Sequence, residues 1–323
     1  MTEGTSSWES LIEGNSPAMR DLREQIAACA RAPDDPVLIL GPTGCGKERT
    51  AKAIHRASRP EGSPFEPHTC LGPDQLAESA LFGHERGAFT GAHAARKGAR
   101  DIAGAGSLFL DEIGETTLAV QAKLLRFLEE RTFRSVGGST DRILRARILA
   151  ATNVDLQGAM ARGAFRTDLY YRLAHIVVQV PALHERREDI PELVRGFARE
   201  RREEDAFDAS ALDALASLSW PGQVRQLRAE TNSLMAKLKE RPIRARHIER
   251  LRRITRLPPP NKETIILDVF REVQPTWHEV QLALDAYIAE LLHASGGNVT
   301  GTARLLGRSR EWLRKWIARR EEN

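Results

Sequence analysis

Val37-Leu38-Ile39-Leu40-Gly41-Pro42-Thr43-Gly44-Cys45-Gly46-Lys47-Glu48 is an apolar run that stops at glycine and opens into a glycine-rich turn closed by a lysine. Four apolar residues ahead of a turn signal read as a buried strand. Residues from Glu48 to Ser58 then follow helical spacing. A GxxxxGK turn between strand and helix is a phosphate-binding loop. Its glycines let backbone N–H groups approach phosphate oxygens, and the helix N-terminus behind it favours negative charge. Lys47 is expected to reach the β- and γ-phosphates of a nucleotide.

Downstream the chain keeps alternating short apolar strands with helical patterns, the sign of an α/β fold with a parallel sheet. Ser107 to Leu110, Ala146 to Ala151 and Ile176 to Val180 read as strands, the last stopped by Pro181. Leu118 to Glu129 has helical spacing and is expected to cover one face of the sheet. After Pro181 the strand-like runs disappear. Amphipathic helical patterns take over at Glu188–Arg202, Ala209–Leu218, Val224–Lys239 and Ala245–Arg253. Leu257-Pro258-Pro259-Pro260-Asn261 reads as a linker, because three prolines break helices and favour extended chain. Beyond it, Trp277 to Asn323 reads as a compact helical domain. The expected division is a tail over 1–10, an α/β subdomain over 11–181, a helical subdomain over 182–255, a linker over 256–276 and a small helical domain over 277–323.

Asp111 and Glu112 close the Leu108-Phe109-Leu110 strand. Beside a phosphate loop, Asp111 is expected to hold Mg²⁺, directly or through water, and Glu112 to orient and polarise the attacking water. Without that loop, an acidic pair ending a strand would simply cap the next helix.

Length and composition fit this division. The chain has 323 residues, 41% apolar and 28% charged, with a formal net charge of +4. That suits two or three soluble domains. The basic excess is concentrated, since residues 299–323 hold seven Arg or Lys against three Glu. Cys29, Cys45 and Cys70 have neither metal-site nor CxxC spacing and suit a reducing compartment. No run approaches a membrane span, and the polar start MTEGTSSWES is not a signal peptide, so a cytoplasmic location is expected.

Between the two halves of the nucleotide site lies His84-Glu85-Arg86-Gly87-Ala88-Phe89-Thr90-Gly91-Ala92. It resembles the signature loop of the bacterial enhancer-binding proteins, AAA+ ATPases that activate RNA polymerase carrying sigma-54. The likeness runs from about Leu11 to the C-terminus. It implies an AAA+ P-loop parallel sheet with a helical lid, followed by a small all-α helix-turn-helix domain, with ATP and Mg²⁺ as cofactors. It implies that Phe89 and Thr90 touch sigma-54. An aromatic side chain among small residues is costly to expose unless something binds it. The alternative for Phe89 is packing back on its own domain.

The resemblance extends residue by residue. Gly-Lys-Glu is the family's common form at Gly46-Lys47-Glu48, so Gly41, Pro42, Thr43, Gly44, Cys45, Gly46, Lys47 and Glu48 are all expected at the nucleotide. Thr152-Asn153 resembles the sensor I position, with Asn153 reporting the γ-phosphate. Phe165-Arg166-Thr167-Asp168-Leu169-Tyr170-Tyr171-Arg172-Leu173 resembles the segment carrying arginine fingers, matching Arg166 and Arg172; the alternative for either arginine is a surface salt bridge. A finger acting in trans implies a ring of subunits, and the family likeness implies a hexamer assembled from dimers. Trp220-Pro221-Gly222-Gln223-Val224-Arg225-Gln226-Leu227 resembles the sensor II segment, with Arg225 at the nucleotide. The family has Asn where Gln223 stands and Glu where Gln226 stands.

Thr69 is the larger departure. The family carries an asparagine there, thought to hold the catalytic glutamate back until the partner engages. Thr69 is therefore the candidate switch, with altered coupling. Pro67 on the same stretch argues for an edge or bulged strand. Cys45 lies where a helix N-terminus can lower a thiol pKa, which raises redox control against the plainer reading of a small residue tolerated in the loop.

At the C-terminal end, Gly296-Gly297-Asn298 followed by Ala303-Arg304-Leu305-Leu306-Gly307 resembles the Fis-type domain of many enhancer-binding proteins. Leu305, Leu306, Leu313 and Ile317 can form its core. Ser309 caps the last helix, and Arg308, Ser309, Arg310, Arg314 and Lys315 are expected at double-stranded DNA. Dimerisation is expected through Trp277 to Leu292.

The leading expectation is an activator that binds upstream DNA and spends ATP to remodel the closed complex of sigma-54 RNA polymerase. Alternatives are a nucleotide-responsive DNA-binding repressor with weak turnover and an AAA+ remodeller of another protein. Little sequence precedes the ATPase, so control is expected from a regulatory protein in trans, from expression level or from the short N-terminal segment.

Overall fold

The computed structural model describes residues 8–70, 98–130 and 145–248 except 239, with Leu81, Gly83, two short strands and five residues near the C-terminus. The first compact unit, Met1–Arg252, holds a parallel sheet and the helices that follow it. Helix α1 (Pro17–Ala30) starts where Ser16 accepts a hydrogen bond from the Met19 amide and Pro17 takes the first helical position. Met19, Leu22, Ile26 and Cys29 fall on one face and are buried.

Strand β1 (Val37–Leu40) leads into α2 (Lys47–Ser58), and β2 (Phe65–Thr69) follows. Short helix α3 (Ala99–Ala103), β3 (Ser107–Asp111) and α4 (Leu118–Glu130) come next. Strands β4 (Thr132–Phe133) and β5 (Arg142–Ile143) pair antiparallel apart from the main sheet. Strand β6 (Arg147–Thr152), α5 (Leu156–Ala161), α6 (Thr167–Leu173) and β7 (Ile176–Gln179) complete the α/β part.

The main sheet has the order β2-β3-β6-β1-β7, with every pairing parallel. Alternation along the strands divides the core into two layers. Val37, Ile39, Phe109, Leu149 and Ala151 pack with Leu22, Ile26 and Ile54 of α1 and α2. Leu38, Leu108, Leu110, Ile148 and Ala150 pack on the other side with Leu124, Phe127 and Leu169 of α4 and α6. Burial on both faces explains the near-continuous apolar runs. Pro67 sits on edge strand β2, whose register with β3 runs unbroken from Phe65↔Ser107 to Thr69↔Asp111. The proline is tolerated by the edge and needs no bulge.

The lid is α7 (Ile190–Glu200), α8 (Ala209–Ala216) and α9 (Gln223–Lys237) around a separate core of Leu193, Phe197, Leu212, Leu215 and Leu227. Trp220 is buried there and donates its indole N–H to the Leu215 carbonyl at 3.0 Å. Residues Arg253–Asn323 form a second compact unit. In it Ile288 and Leu313 are buried together with Val299 and Ile317 packed on them, all helical. Leu305 and Leu306, expected in the same core, lie outside the described residues.

One buried charge braces the sheet. Arg147, 1% exposed, donates from Nε to the Asp35 carbonyl at 2.9 Å and from Nη2 to the Cys29 carbonyl at 3.1 Å. It thereby joins β6 to the end of α1 and the approach to β1. Removing a buried charged donor leaves two carbonyls without their partner. Arg147→Met is expected to lower unfolding free energy by about 3 kcal/mol, measured by urea denaturation, with the same fold by circular dichroism.

Candidate active site

Three neighbouring strands deliver the site from their C-terminal ends, the usual ligand side of an open α/β sheet. Strand β1 ends at the phosphate loop, β6 ends at Thr152-Asn153 and β3 ends at Asp111-Glu112. The loop closes with Gly46 in a left-handed conformation, and Lys47 is the first residue of α2. The Lys47 side chain is buried. Its Nζ donates to the Gly41 carbonyl at 3.1 Å and stands 3.8 Å from Glu112 Oε1. Glu48 turns outward and pairs with Lys52 at 2.6 Å.

Glu112 is strained. It has φ 55° and ψ 42°, a left-handed conformation outside glycine's province, which costs about 1–3 kcal/mol. The kink takes the chain off the line of β3 at the residue whose carboxylate meets Lys47. Glu112 Oε2 is buried without a hydrogen-bond partner among the described residues, while Asp111 Oδ1 accepts from the Glu112 amide at 3.0 Å. Asn153 Nδ2 donates to Thr43 Oγ1 at 2.8 Å, so the end of β6 touches the loop tip.

The lid reaches the same loop. The Arg225 amide donates to the Gly44 carbonyl at 3.2 Å, while the Arg225 side chain is exposed. Gly44 has φ +85°, and a Cβ there would lie 2.7 Å from the Gly222 carbonyl oxygen. Only glycine suits both the backbone conformation and the close approach of α9. The two departures from the family pattern make local bonds: Gln223 Oε1 accepts from the Leu183 amide at 2.6 Å and Gln226 Oε1 from the Gly222 amide at 2.9 Å. Behind the loop lies a pocket whose apolar wall includes Leu11, Ile12, Met19, Leu22, Val180 and Val224.

Other expected site residues sit apart. Thr69 is exposed at the end of β2, in register with Asp111, and no hydrogen bond joins its side chain to Glu112. Arg166 precedes α6 and forms a two-pronged ion pair with Asp168 at 3.0 and 2.7 Å, which holds the Asp168 carboxyl below its ordinary range. Arg172 donates to the Leu128 carbonyl at 3.3 Å. Neither guanidinium bonds to the phosphate loop, Asp111 or Glu112. Phe89, Thr90, Arg308, Ser309, Arg310, Arg314 and Lys315 lie outside the described residues.

Sequence reasoning passed over Arg186 and Asp189. Both are buried, at 4% and 2% exposure, inside the polar run His184-Glu185-Arg186-Arg187-Glu188-Asp189. Nothing in that run marks which charges turn inward.

Family comparison settles the class. The family profile described as Sigma-54 interaction domain matches residues 12–179, and that described as AAA+ ATPase lid domain matches 184–262. The chain belongs to the sigma-54 activator family of AAA+ ATPases. These are transcriptional activators whose ATPase remodels RNA polymerase. The chain is 40% identical to the transcriptional regulatory protein GlrR of Escherichia coli K12 over 321 residues, 97% of this chain and 69% of that protein. It is 45% identical to the regulatory protein AtoC of the same organism over 230 residues, 69% of this chain and 50% of that one. The crystal structure of NtrX from Brucella abortus in complex with ATP superposes with a TM-score of 0.65 at 31% identity, covering 94% of this chain and 68% of the other. Among the described residues no helix is long and apolar enough to cross a membrane.

The thiols correct one expectation. Burial pushes the Cys45 thiol up despite the opposing charges of Lys47 and Arg186. The proximity of a helix N-terminus therefore does not activate it. Burial, reinforced by the Asp111 charge, pushes Cys70 up to about 12. At pH 8 such a thiol is ionised in about one molecule in ten thousand. Native protein at pH 8 is expected to leave Cys29, Cys45 and Cys70 unreactive toward a disulfide reagent, and all three are expected to react in denaturant. Rapid native modification of Cys45 would restore the redox reading.

Proposed function

We propose that the loop Gly41–Glu48 binds the ATP phosphates and that Lys47, Asp111, Glu112 and Asn153 surround the γ-phosphate. The contact of Lys47 with Glu112 at 3.8 Å carries this reading, because it brings a phosphate-binding cation and a water-orienting carboxylate to one point. The apolar pocket behind the loop takes the base, and Arg225 reaches the phosphates from the lid.

Mg²⁺ suits the donors present. Asp111 offers a hard carboxylate at the strand end, and Mg²⁺ characteristically takes one or two carboxylates together with nucleotide phosphate oxygens. Among the described residues no cluster of three or more His, Cys, Asp or Glu could hold a metal without such help. When bound, the ion neutralises charge between the β- and γ-phosphates. Glu112 accepts a hydrogen bond from the attacking water while Lys47 grips the phosphate.

Arg166 and Arg172 complete the site of a neighbouring subunit as arginine fingers. Their separation from their own chain's phosphate loop supports action in trans and therefore a ring, a hexamer built from dimers. Phe89 and Thr90 contact sigma-54, and Thr69 sets how tightly hydrolysis depends on that contact. Residues 277–323 form the helix-turn-helix domain that binds upstream double-stranded DNA through Arg308, Ser309, Arg310, Arg314 and Lys315. The helical cluster around Ile288 and Leu313 supports a small all-α domain there.

The test is capture of purified sigma-54 in ADP plus a metal-fluoride mimic of the γ-phosphate. Wild-type protein is expected to retain sigma-54 with the mimic and release it in ADP alone. Thr90→Ala is expected to lose at least about tenfold in affinity, on the scale of an interface anchor. Failure to capture sigma-54 by protein that hydrolyses ATP would redirect the remodelling to another partner.

A further inference from the structure

Arg186 lies in the 3-10 segment Leu183–Asp189 that connects β7 to the lid, at a residue whose φ −137° and ψ 43° break the helical path. The kink turns its side chain inward. Nη2 donates to the Cys45 carbonyl at 2.8 Å, and Nη1 lies 3.0 Å from Met19 Sδ. Arg186 also lines the pocket behind the phosphate loop. A guanidinium stays charged when buried, so this is a charge-assisted hydrogen bond to the loop backbone.

That bond fixes a peptide plane. In a trans peptide the carbonyl and the following N–H point in opposite directions. With the Cys45 carbonyl drawn back to Arg186, the Gly46 N–H faces away from Arg186. The Gly44 carbonyl is drawn aside in the same manner by the Arg225 amide. Two successive loop carbonyls are thus held by donors from the lid and its connector.

The connector is itself anchored. Asp189 accepts from the Asn15 amide at 2.7 Å, the Ser16 amide at 2.9 Å and Ser16 Oγ at 2.6 Å, ahead of the N-terminus of α1. Gly14, at φ +115°, passes so close that a Cβ would lie 2.6 Å from the Asp189 carboxyl carbon. At the other end, the Leu183 amide is held by Gln223. Arg186 therefore projects from a segment pinned on both sides.

We infer that Arg186 is a positioning residue for phosphate binding, holding the Cys45–Gly46 peptide so that the Gly46 N–H meets the nucleotide and tying the loop's shape to the lid connector. The inference rests on the ATP-site reading above. A residue that only fills the core lowers stability without changing what the folded protein binds. A positioning residue lowers affinity in the folded protein.

The experiment compares wild type, Arg186→Met, Arg186→Lys, Lys47→Ala and Arg147→Met in ATP and ADP titrations, with melting temperature measured without nucleotide and with saturating ATP. Arg147 is the control for a buried arginine remote from the loop. Arg186→Met is expected to weaken ATP and ADP alike by about tenfold or more, the scale of one charged hydrogen bond, and to shrink the ATP-induced rise in melting temperature. Arg186→Lys is expected to recover part of that loss by donating to the same carbonyl. Arg147→Met is expected to melt lower yet bind ATP within about twofold of wild type. Folded Arg186→Met that binds as tightly as wild type would overturn the inference. If Arg186→Met does not fold, Arg186→Gln takes its place, and folded Arg186→Gln that binds ATP as tightly as wild type overturns it equally. Wild-type protein that binds no ATP, or Lys47→Ala that binds as wild type does, would contradict the ATP-site reading itself.

Discussion

A lysine and a glutamate brought together at the ends of separate strands organise this molecule. Lys47 Nζ is held by the Gly41 carbonyl and stands 3.8 Å from Glu112. β6 lies between β1 and β3 and delivers Asn153 to the loop from between them. The meeting of Lys47 with Glu112 requires the left-handed turn at Glu112, whose local cost the two-sided core of the sheet outweighs. Placing a phosphate-loop lysine beside a carboxylate is a demand on geometry, and the sheet meets it with the backbone that positions Lys47 and Glu112.

The lid is coupled to that geometry through the backbone of the phosphate loop. α9 lies against Gly44, where no side chain fits, and the connector before α7 holds the next carbonyl through Arg186. A loop shaped by donors from a separately packed lid changes shape when the lid moves. This supplies a physical route from nucleotide state to lid angle, and the reverse route is its thermodynamic counterpart. Arginine fits the connector because its several fixed donors reach the carbonyl and the Met19 sulfur together.

Much of this was legible in the residues. Val37–Leu40 is the strand expected, and the strand-to-helix glycine turn decided an α/β fold with a phosphate site. The lid helices begin within two residues of where the amphipathic spacing placed them. Pro67 correctly marked an edge. What stayed hidden depends on tertiary contact. Arg147 and Arg186 look like any surface arginine until the fold buries them against backbone carbonyls. Cys45 left both a redox role and a merely tolerated small residue open, and its burial favours the second. The paired strands Thr132–Phe133 and Arg142–Ile143 are too short to leave a periodic signal. The roles proposed for Arg166 and Arg172 involve a neighbouring subunit, which one chain's hydrogen bonds do not display.

The proposed chemistry has Glu112 activate water against a phosphate held by Lys47. Steady-state ATP turnover of Glu112→Gln, set beside its ATP affinity, tests it most directly. The amide keeps the shape of the carboxylate and loses its charge and basicity. The account predicts turnover lowered by about a hundredfold or more with ATP affinity within a few-fold of wild type. Turnover near the wild-type rate in Glu112→Gln would place the chemistry elsewhere.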